Sequence, residues 1–446
     1  FVPMFSKKLQ SGAGAEDFAR DAFSGMAVLL SVFSVIALIA MPWLVWAMAS
    51  GFVGDDRFDL TIQFGRIAFP YILFISLAAL ASGVLNAAGH FRAAAAAPVL
   101  LNVLFIAAML LGAAAGWDIG LTLAWTVPIG GAAQLALVWW AARSAGIALW
   151  LKRPVLSPDL RRLAVIAAPA ALAGGVVQIN LLVGRNVASY FDGANAWLYY
   201  ADRLYQLPLG VVGIAIGIVL LPDLSRKLAA VDATGAQDAL NRAGEIAMVL
   251  TVPCAVALAV IPGPLISVLF ERGSFGANDT AATALACAIY GLGLPAFVLQ
   301  KVLQPLFFAR EDTKSPFRYA LVALIVNAVI AIGLAPFVGF IAAAIGASLA
   351  GWAMLVCLWW GSRRMGHAAV LDDQFKARWW RIALASLAMG ACLALAAWLL
   401  DGVFDLHGWR YAALALLLAI GAVSYAFFGE AFGAFRLSQL RSEMRR

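Results

Sequence analysis

The chain has 446 residues, 64% of them hydrophobic and 12% charged, with a formal net charge of +7. Soluble domains run nearer about 45–50% apolar and about 25% charged, so a water-soluble enzyme or carrier is excluded and a polytopic membrane protein remains. The surplus of bases does not imply a nucleic-acid partner, because the Lys and Arg residues are dispersed through the short loops between apolar runs.

Taken in order, runs of roughly 20 apolar residues predict membrane spans. They lie near 22–50, 67–88, 93–116, 119–142, 163–190, 196–221, 244–270, 279–308, 316–336, 338–360, 381–400 and 409–428. The spans must be helices, since lipid offers no partner to an open backbone and the runs are too long for barrel strands. Residues 1–5 read as the tail of one more helix.

The loops alternate in basic content. One set carries 24 of the 31 bases, including Lys7, Lys8, Arg20, Arg143, Lys152, Arg153, Arg226, Lys227, Arg310, Arg363, Arg378 and Arg436–Arg446 at the C-terminus. The opposite set holds Arg57, Arg66, Arg272 and Arg410, and Arg185, Arg203 and Lys301 fall inside spans. The positive-inside rule makes the richer set, and with it the C-terminus, cytoplasmic.

The chain also repeats itself. Val2-Pro3-Met4-Phe5-Ser6-Lys7-Lys8 resembles Leu221-Pro222-Asp223-Leu224-Ser225-Arg226-Lys227, 219 residues later. Pro42 and Pro264 lie 222 apart; Pro70 and Pro295, then Asn102 and Asn327, lie 225 apart. Six helices separate the copies, so both share one orientation. The expected fold is all-α, with two pseudo-symmetric six-helix lobes and two additional C-terminal helices. Extrapolating the repeat predicts two first-lobe helices ahead of Phe1. The expected division is 1–150 for the first lobe, 151–362 for the second and 363–446 for the extra pair and a basic tail.

The stretch Trp197–Pro208 holds Asp202, the acid set deepest in any apolar run, followed at once by Arg203 and, one helical turn on, by Gln206. Ionised groups in lipid cost about 2.5–3.5 kcal/mol each on insertion scales, so they should face a bundle interior or a wet cavity. Arg185 and Arg203 sit at depths of roughly 10 and 18 Å from the short loop joining their spans, at 1.5 Å per residue. Lys301 lies on another span, nearer the cytoplasmic end. Three bases against one acid leave a positive interior suited to an anion, and Arg forks suit phosphate oxygens. The competing reading makes Asp202–Arg203 a structural ion pair, lets Arg185 and Lys301 snorkel to the interfaces, and treats Asn102 and Asn327 as interhelical glue. Cys254, Cys287, Cys357 and Cys392 lie in apolar runs with no metal or disulfide spacing. His90, His367 and His407 are far apart, so neither catalytic group, cofactor nor metal site is expected.

Tyr199-Tyr200-Ala201-Asp202-Arg203-Leu204 with Pro208, then Gly213-Ile214-Ala215 and Leu220-Leu221-Pro222-Asp223-Leu224-Ser225, resemble the MurJ (MviN) family of bacterial lipid II flippases. So do Phe1-Val2-Pro3, Ala68-Phe69-Pro70-Tyr71-Ile72-Leu73, and Lys301-Val302-Leu303 leading to Ala309-Arg310-Glu311-Asp312-Thr313-Lys314-Ser315-Pro316. The resemblance implies the multidrug/oligosaccharidyl-lipid/polysaccharide exporter fold. It also implies movement of the lipid-linked muropeptide to the periplasmic leaflet of the bacterial inner membrane, with membrane lipids and cell-wall synthesis proteins as partners. Basic cavity residues would hold the diphosphate, and a groove beside the extra helices would take the lipid tail. Asp202 and Arg203 match the family's acid–base pair, and Gln206 stands where some relatives carry Glu. Gly184 and the acid-free span 316–336 leave the sodium site of some relatives unsupported, so coupling to the membrane potential is expected. The substrate-binding residues expected are therefore Asp202, Arg203, Arg185, Lys301, Gln206, Asn102 and Asn327. A related O-antigen-type flippase or multidrug exporter is the alternative within the fold, and an inert scaffold of cell-wall synthesis is the alternative outside it.

Overall fold

A computed structural model describes residues 1–435 apart from 13, 154–156, 231, 367–371, 405 and 407. His367, His407 and the basic tail 436–446 therefore lie outside the described residues. Packing divides the chain into two units, Phe1–Gly174 and Gly175–Arg446.

The first unit holds α1 (Val2–Ser11), α2 (Ala15–Ile39), α3 (Met41–Met48), α4 (Asp56–Ala68), α5 (Tyr71–Ala87), α6 (Arg92–Ala115), α7 (Ile119–Ser144) and the start of α8 (Pro158–Ser189). Its core joins Phe5 of α1, Phe18 and Phe23 of α2, Leu80 and Leu85 of α5, and Val138 of α7. The opposite face of α2 (Leu29, Val32, Val35, Ile36, Ile39) is exposed and apolar, as a lipid-facing stripe should be. Gln134 of α7 is buried and donates to the Ala97 carbonyl of α6 at 2.9 Å, a polar tie of the kind that joins helices in lipid. The span expected at 22–50 is two helices, because the apolar run hides a break at Ala40. Pro42 sits in the first turn of α3, where its missing N–H costs nothing. The span at 67–88 starts earlier, with α4 capped by Asp55, whose side chain accepts from the Arg57 N–H at 3.0 Å. It breaks at Phe69–Pro70.

The second unit holds the rest of α8, then α9 (Ala194–Ala229), α10 (Ala233–Val260), α11 (Pro262–Phe270), α12 (Ala277–Phe308), α13 (Lys314–Val338), α14 (Ile341–Ser362), α15 (Asp373–Leu399), α16 (Asp401–Phe404) and α17 (Arg410–Ala431). α12 is its central helix, and Cys287, Leu294, Val298 and Leu306 along it are fully buried against α9, α10 and α14. The extra pair packs here too: α15 lies on α10, and α17 on α15, through Ile261, Met389, Leu393 and Leu417. The Tyr425 hydroxyl reaches across to the Val249 carbonyl at 2.7 Å.

The internal repeat shows in the local geometry of each unit. The α2–α3 break at Ala40 recurs as the α10–α11 break at Ile261, again followed by prolines in the first turn of a short helix. The turn before α6 places Gly89 at φ +83°, and the turn before α13 places Glu311 at φ +59°. Both close a helix by the same 6→1 bond, His90 N–H to Leu85 O at 2.8 Å and Asp312 N–H to Phe307 O at 3.0 Å. One copy differs: α12 runs unbroken through Pro295, where the first unit breaks at Pro70.

Ten helical segments among the described residues are long and apolar enough to cross a membrane. The other two expected spans coincide with α8 and α9, of 32 and 36 residues, whose side chains are described only in part.

Candidate functional site

The site builds from α9 outward. Gly193, at φ +77°, turns the chain into α9 and brings Trp197 against the next elements. The Trp197 indole donates to the Asp279 carboxylate of α12 at 2.7 Å and tilts against Phe340 with centroids 5.0 Å apart. Asp279 also accepts from the Gly276 N–H at 2.8 Å, capping α12. Deeper down, Tyr205 stacks on Tyr290 at 5.4 Å and leans on Phe297 at 5.7 Å, both on α12. These contacts hold α9 and α12 side by side over the stretch that carries the charges.

Asp202 and Arg203 do not pair with each other. Gln206, one turn on, donates its amide to the Asp202 carboxylate. Arg203 reaches one turn back, donating to the Tyr199 hydroxyl at 3.0 Å with its guanidinium 4.6 Å over that ring. Consecutive helical residues point about 100° apart, so each finds its neighbour at i±4 instead. Among the described residues no ion pair within 4.0 Å links Asp202 to either arginine, although the charges of both Arg203 and Arg185 act on its carboxylate. A locked ion pair is thus not what holds these helices together.

Arg185, Arg203 and Gln206 are exposed, and Asp202 is half-buried. The bases within the spans thus line a surface rather than the packed core. Lys301 also is exposed; its stem lies over Gly213 of α9, where an added Cβ would sit 3.5 Å from Lys301 Cγ. Gly213 lies ten residues past Arg203 on α9, so Lys301 stands apart from the Asp202 cluster, about 15 Å along the helix at 1.5 Å per residue.

The two asparagines, matched in sequence, differ in setting. Asn327 is 2% exposed and donates to both the backbone carbonyl (3.0 Å) and side-chain oxygen (2.8 Å) of Asn180, joining α13 to α8. Its donors are spent on this joint. Asn102 is exposed on α6 of the first unit. Asn327→Ala is expected to lower stability in detergent by about 0.6–1.7 kcal/mol, the range of interhelical hydrogen bonds in membranes. A thermal unfolding series reads this directly, and an unchanged midpoint would dismiss the joint. Sequence reasoning misses Tyr199, Tyr205 and Tyr290, which pass for packing residues. Their spacing, one turn before Arg203 and one residue before Gln206, is the available signal for the first two.

A second feature is an apolar groove with a cavity volume of about 190 Å³, lined by Gly244, Val302, Leu303, Trp352, Val356 and Phe375 among others. It runs between α10, α12 and α14 and is closed on one side by Phe375 of α15.

A bundle of membrane-spanning helices, repeated within the chain, with arginines set inside spans and an apolar groove alongside, defines a polytopic membrane transporter. Solved structures share this fold. One described as lipid II flippase MurJ in an inward closed conformation is 24% identical, with a TM-score of 0.79 over 97% of this chain and 86% of that one. An inward-facing multidrug resistance MATE family transporter is 17% identical, with a TM-score of 0.67 over 82% and 85%. The sequence pattern of the family described as lipid II flippase MurJ matches residues 1–420, and the chain belongs to that family. A probable lipid II flippase MurJ of Rhizobium tropici is 40% identical over the whole chain and 85% of its own length. The lipid II flippase MurJ of Burkholderia cenocepacia is 37% identical over 76% of this chain and 67% of its own.

Proposed function

We infer that this protein is a lipid II flippase of peptidoglycan synthesis, carrying the undecaprenyl-diphosphate-linked muropeptide from the cytoplasmic to the periplasmic leaflet by alternating access. The observation that carries this reading is the pair of guanidiniums, Arg203 and Arg185, whose charges act on Asp202 without an ion pair to neutralise them among the described residues. A diphosphate offers several anionic oxygens, and each charge-assisted bond to Arg is worth about 1.5–3 kcal/mol. Tyr199 holds the Arg203 guanidinium in place, so little rotamer freedom is lost when the anion arrives. Asp202 is the resident counter-charge that the headgroup displaces and that recovers the arginines on release. Lys301 provides a further positive station along α9. The apolar groove beside α15 accepts isoprenoid chain, which needs no polar partner.

Transport so described makes and breaks no bond. A cation exporter on the same fold would need acids where this site presents bases. The alternation of basic loops supports a cytoplasmic C-terminus in a protein of the inner membrane. The test is to deplete the protein in cells and measure which lipid-linked precursor accumulates on the inner leaflet. Accumulation of lipid II is expected. Unchanged lipid II with a different lipid-linked sugar accumulating would overturn the substrate.

A further inference from the structure

The sparsely basic set of connections holds four bases, Arg57, Arg66, Arg272 and Arg410. Arg57 is neutralised by Asp55 at 2.5 Å, and Arg66 donates to the Leu38 carbonyl at 3.2 Å. The other two come together although 138 residues separate them, because Arg410 reaches the backbone beside Arg272. Arg272 follows α11 and Arg410 opens α17. Arg410 donates to the Tyr411 hydroxyl at 3.2 Å, with its guanidinium 5.1 Å from that ring, and the charges of both arginines bear on that hydroxyl.

Capping accounts for part of this. Arg272 donates to the Leu269 carbonyl at 2.9 Å and Arg410 to the Glu271 carbonyl at 3.5 Å, at the C-terminal end of α11 where cations are favoured. Yet a guanidinium has five N–H donors, and these bonds use few of them. The Arg410 Nε is buried with no partner. The nearby acid, Glu271, gives Oε2 to the Thr280 hydroxyl at 2.7 Å and makes no ion pair with either arginine among the described residues. Two neighbouring guanidiniums repel each other, the more so where water is scarce. Their companions are of interfacial type: Leu406, Trp409 and Tyr411 are all more than half exposed.

We propose that Arg272, Arg410 and the Tyr411 hydroxyl form a binding site for the phosphate of an anionic lipid headgroup in the outer leaflet. The leaflet rests on the orientation inferred above; the binding does not. The guanidinium forks supply bidentate donors to the phosphate oxygens, Tyr411 steadies the Arg410 fork, and Trp409 and Leu406 lie against the acyl chains. The site stands on α11 and α17, apart from the Asp202 cluster on α8, α9 and α12.

The test is native mass spectrometry of the whole protein released from nanodiscs of phosphatidylglycerol and phosphatidylcholine. Retained phosphatidylglycerol should fall about tenfold in Arg272→Gln/Arg410→Gln, the loss of one charge-assisted contact or more. Arg57→Gln should retain it. Arg272 is exposed, so Arg272→Gln alone keeps the test open should the double variant fail to fold. Unchanged retention in either variant, or equal retention of neutral diacylglycerol by the parent, overturns the site. Inorganic phosphate binding as tightly as the lipid overturns the lipid assignment. Labelling of Gly408→Cys by an impermeant maleimide on intact cells reports the leaflet separately, so a wrong orientation and a wrong site give different results.

Discussion

Arg203→Ala is expected to abolish rescue of flippase-depleted cells while the protein accumulates in the membrane at its normal level. Among the described groups the guanidinium hydrogen-bonds only to Tyr199 and is exposed, so its removal spares the core and takes away a fork that would make two bonds to a diphosphate. At about 1.5–3 kcal/mol per charge-assisted bond, transport should fall at least ~100-fold. Arg203→Lys keeps the charge but not the fork, and should fall between the two. Asp202→Ala should fail as well, for the opposite reason. It strips the carboxylate that Gln206 orients, so the arginines have nothing to return to once the headgroup leaves. The two variants are told apart by binding: affinity for a diphosphate lipid drops in the first and holds or rises in the second. Growth restored by both would defeat the site.

Val356→Trp should block the apolar groove. Val356 is exposed within it, so an indole extends into the empty space instead of displacing core atoms. Filling the groove excludes isoprenoid chain. Burial of apolar surface is worth about 25 cal/mol per Å², so denying the chain this lining makes a tenfold drop in transport a modest expectation. The measure is the rate at which labelled lipid II crosses reconstituted vesicles, with Val356→Ala as the companion that leaves the groove open. Equal rates for the Trp and Ala variants would remove the groove from the mechanism.

Most of the architecture can be read from the chain because lipid makes hydrophobicity a direct signal of helix placement. What the signal does not resolve is an interruption inside an apolar run. The breaks at Ala40 and Ile261 change no hydropathy, and only Pro42, Pro262 and Pro264 mark them. Asp202 stands out for the same physical reason that spans do, since an acid in lipid demands an explanation. The partners of that acid are not readable in the same way. Periodicity puts Gln206 and Arg203 at known angles, but only coordinates show that Arg203 turns back to Tyr199 and that Tyr290 comes in from α12. Asn102 and Asn327 make the limit plain. The sequence treats them alike, and their environments differ because Asn180 of α8 covers one of them.

The contacts between α9 and α12 carry a mechanical consequence. The indole tie at Trp197, the stacked phenols at Tyr205 and the lysine stem on Gly213 fasten the two helices at three heights. Arg203 and Lys301 consequently ride on a single stiff strut and keep a constant interval. On the function proposed above, an anion crossing the bilayer steps between fixed rungs, and the hinge that exposes each rung in turn lies outside that strut.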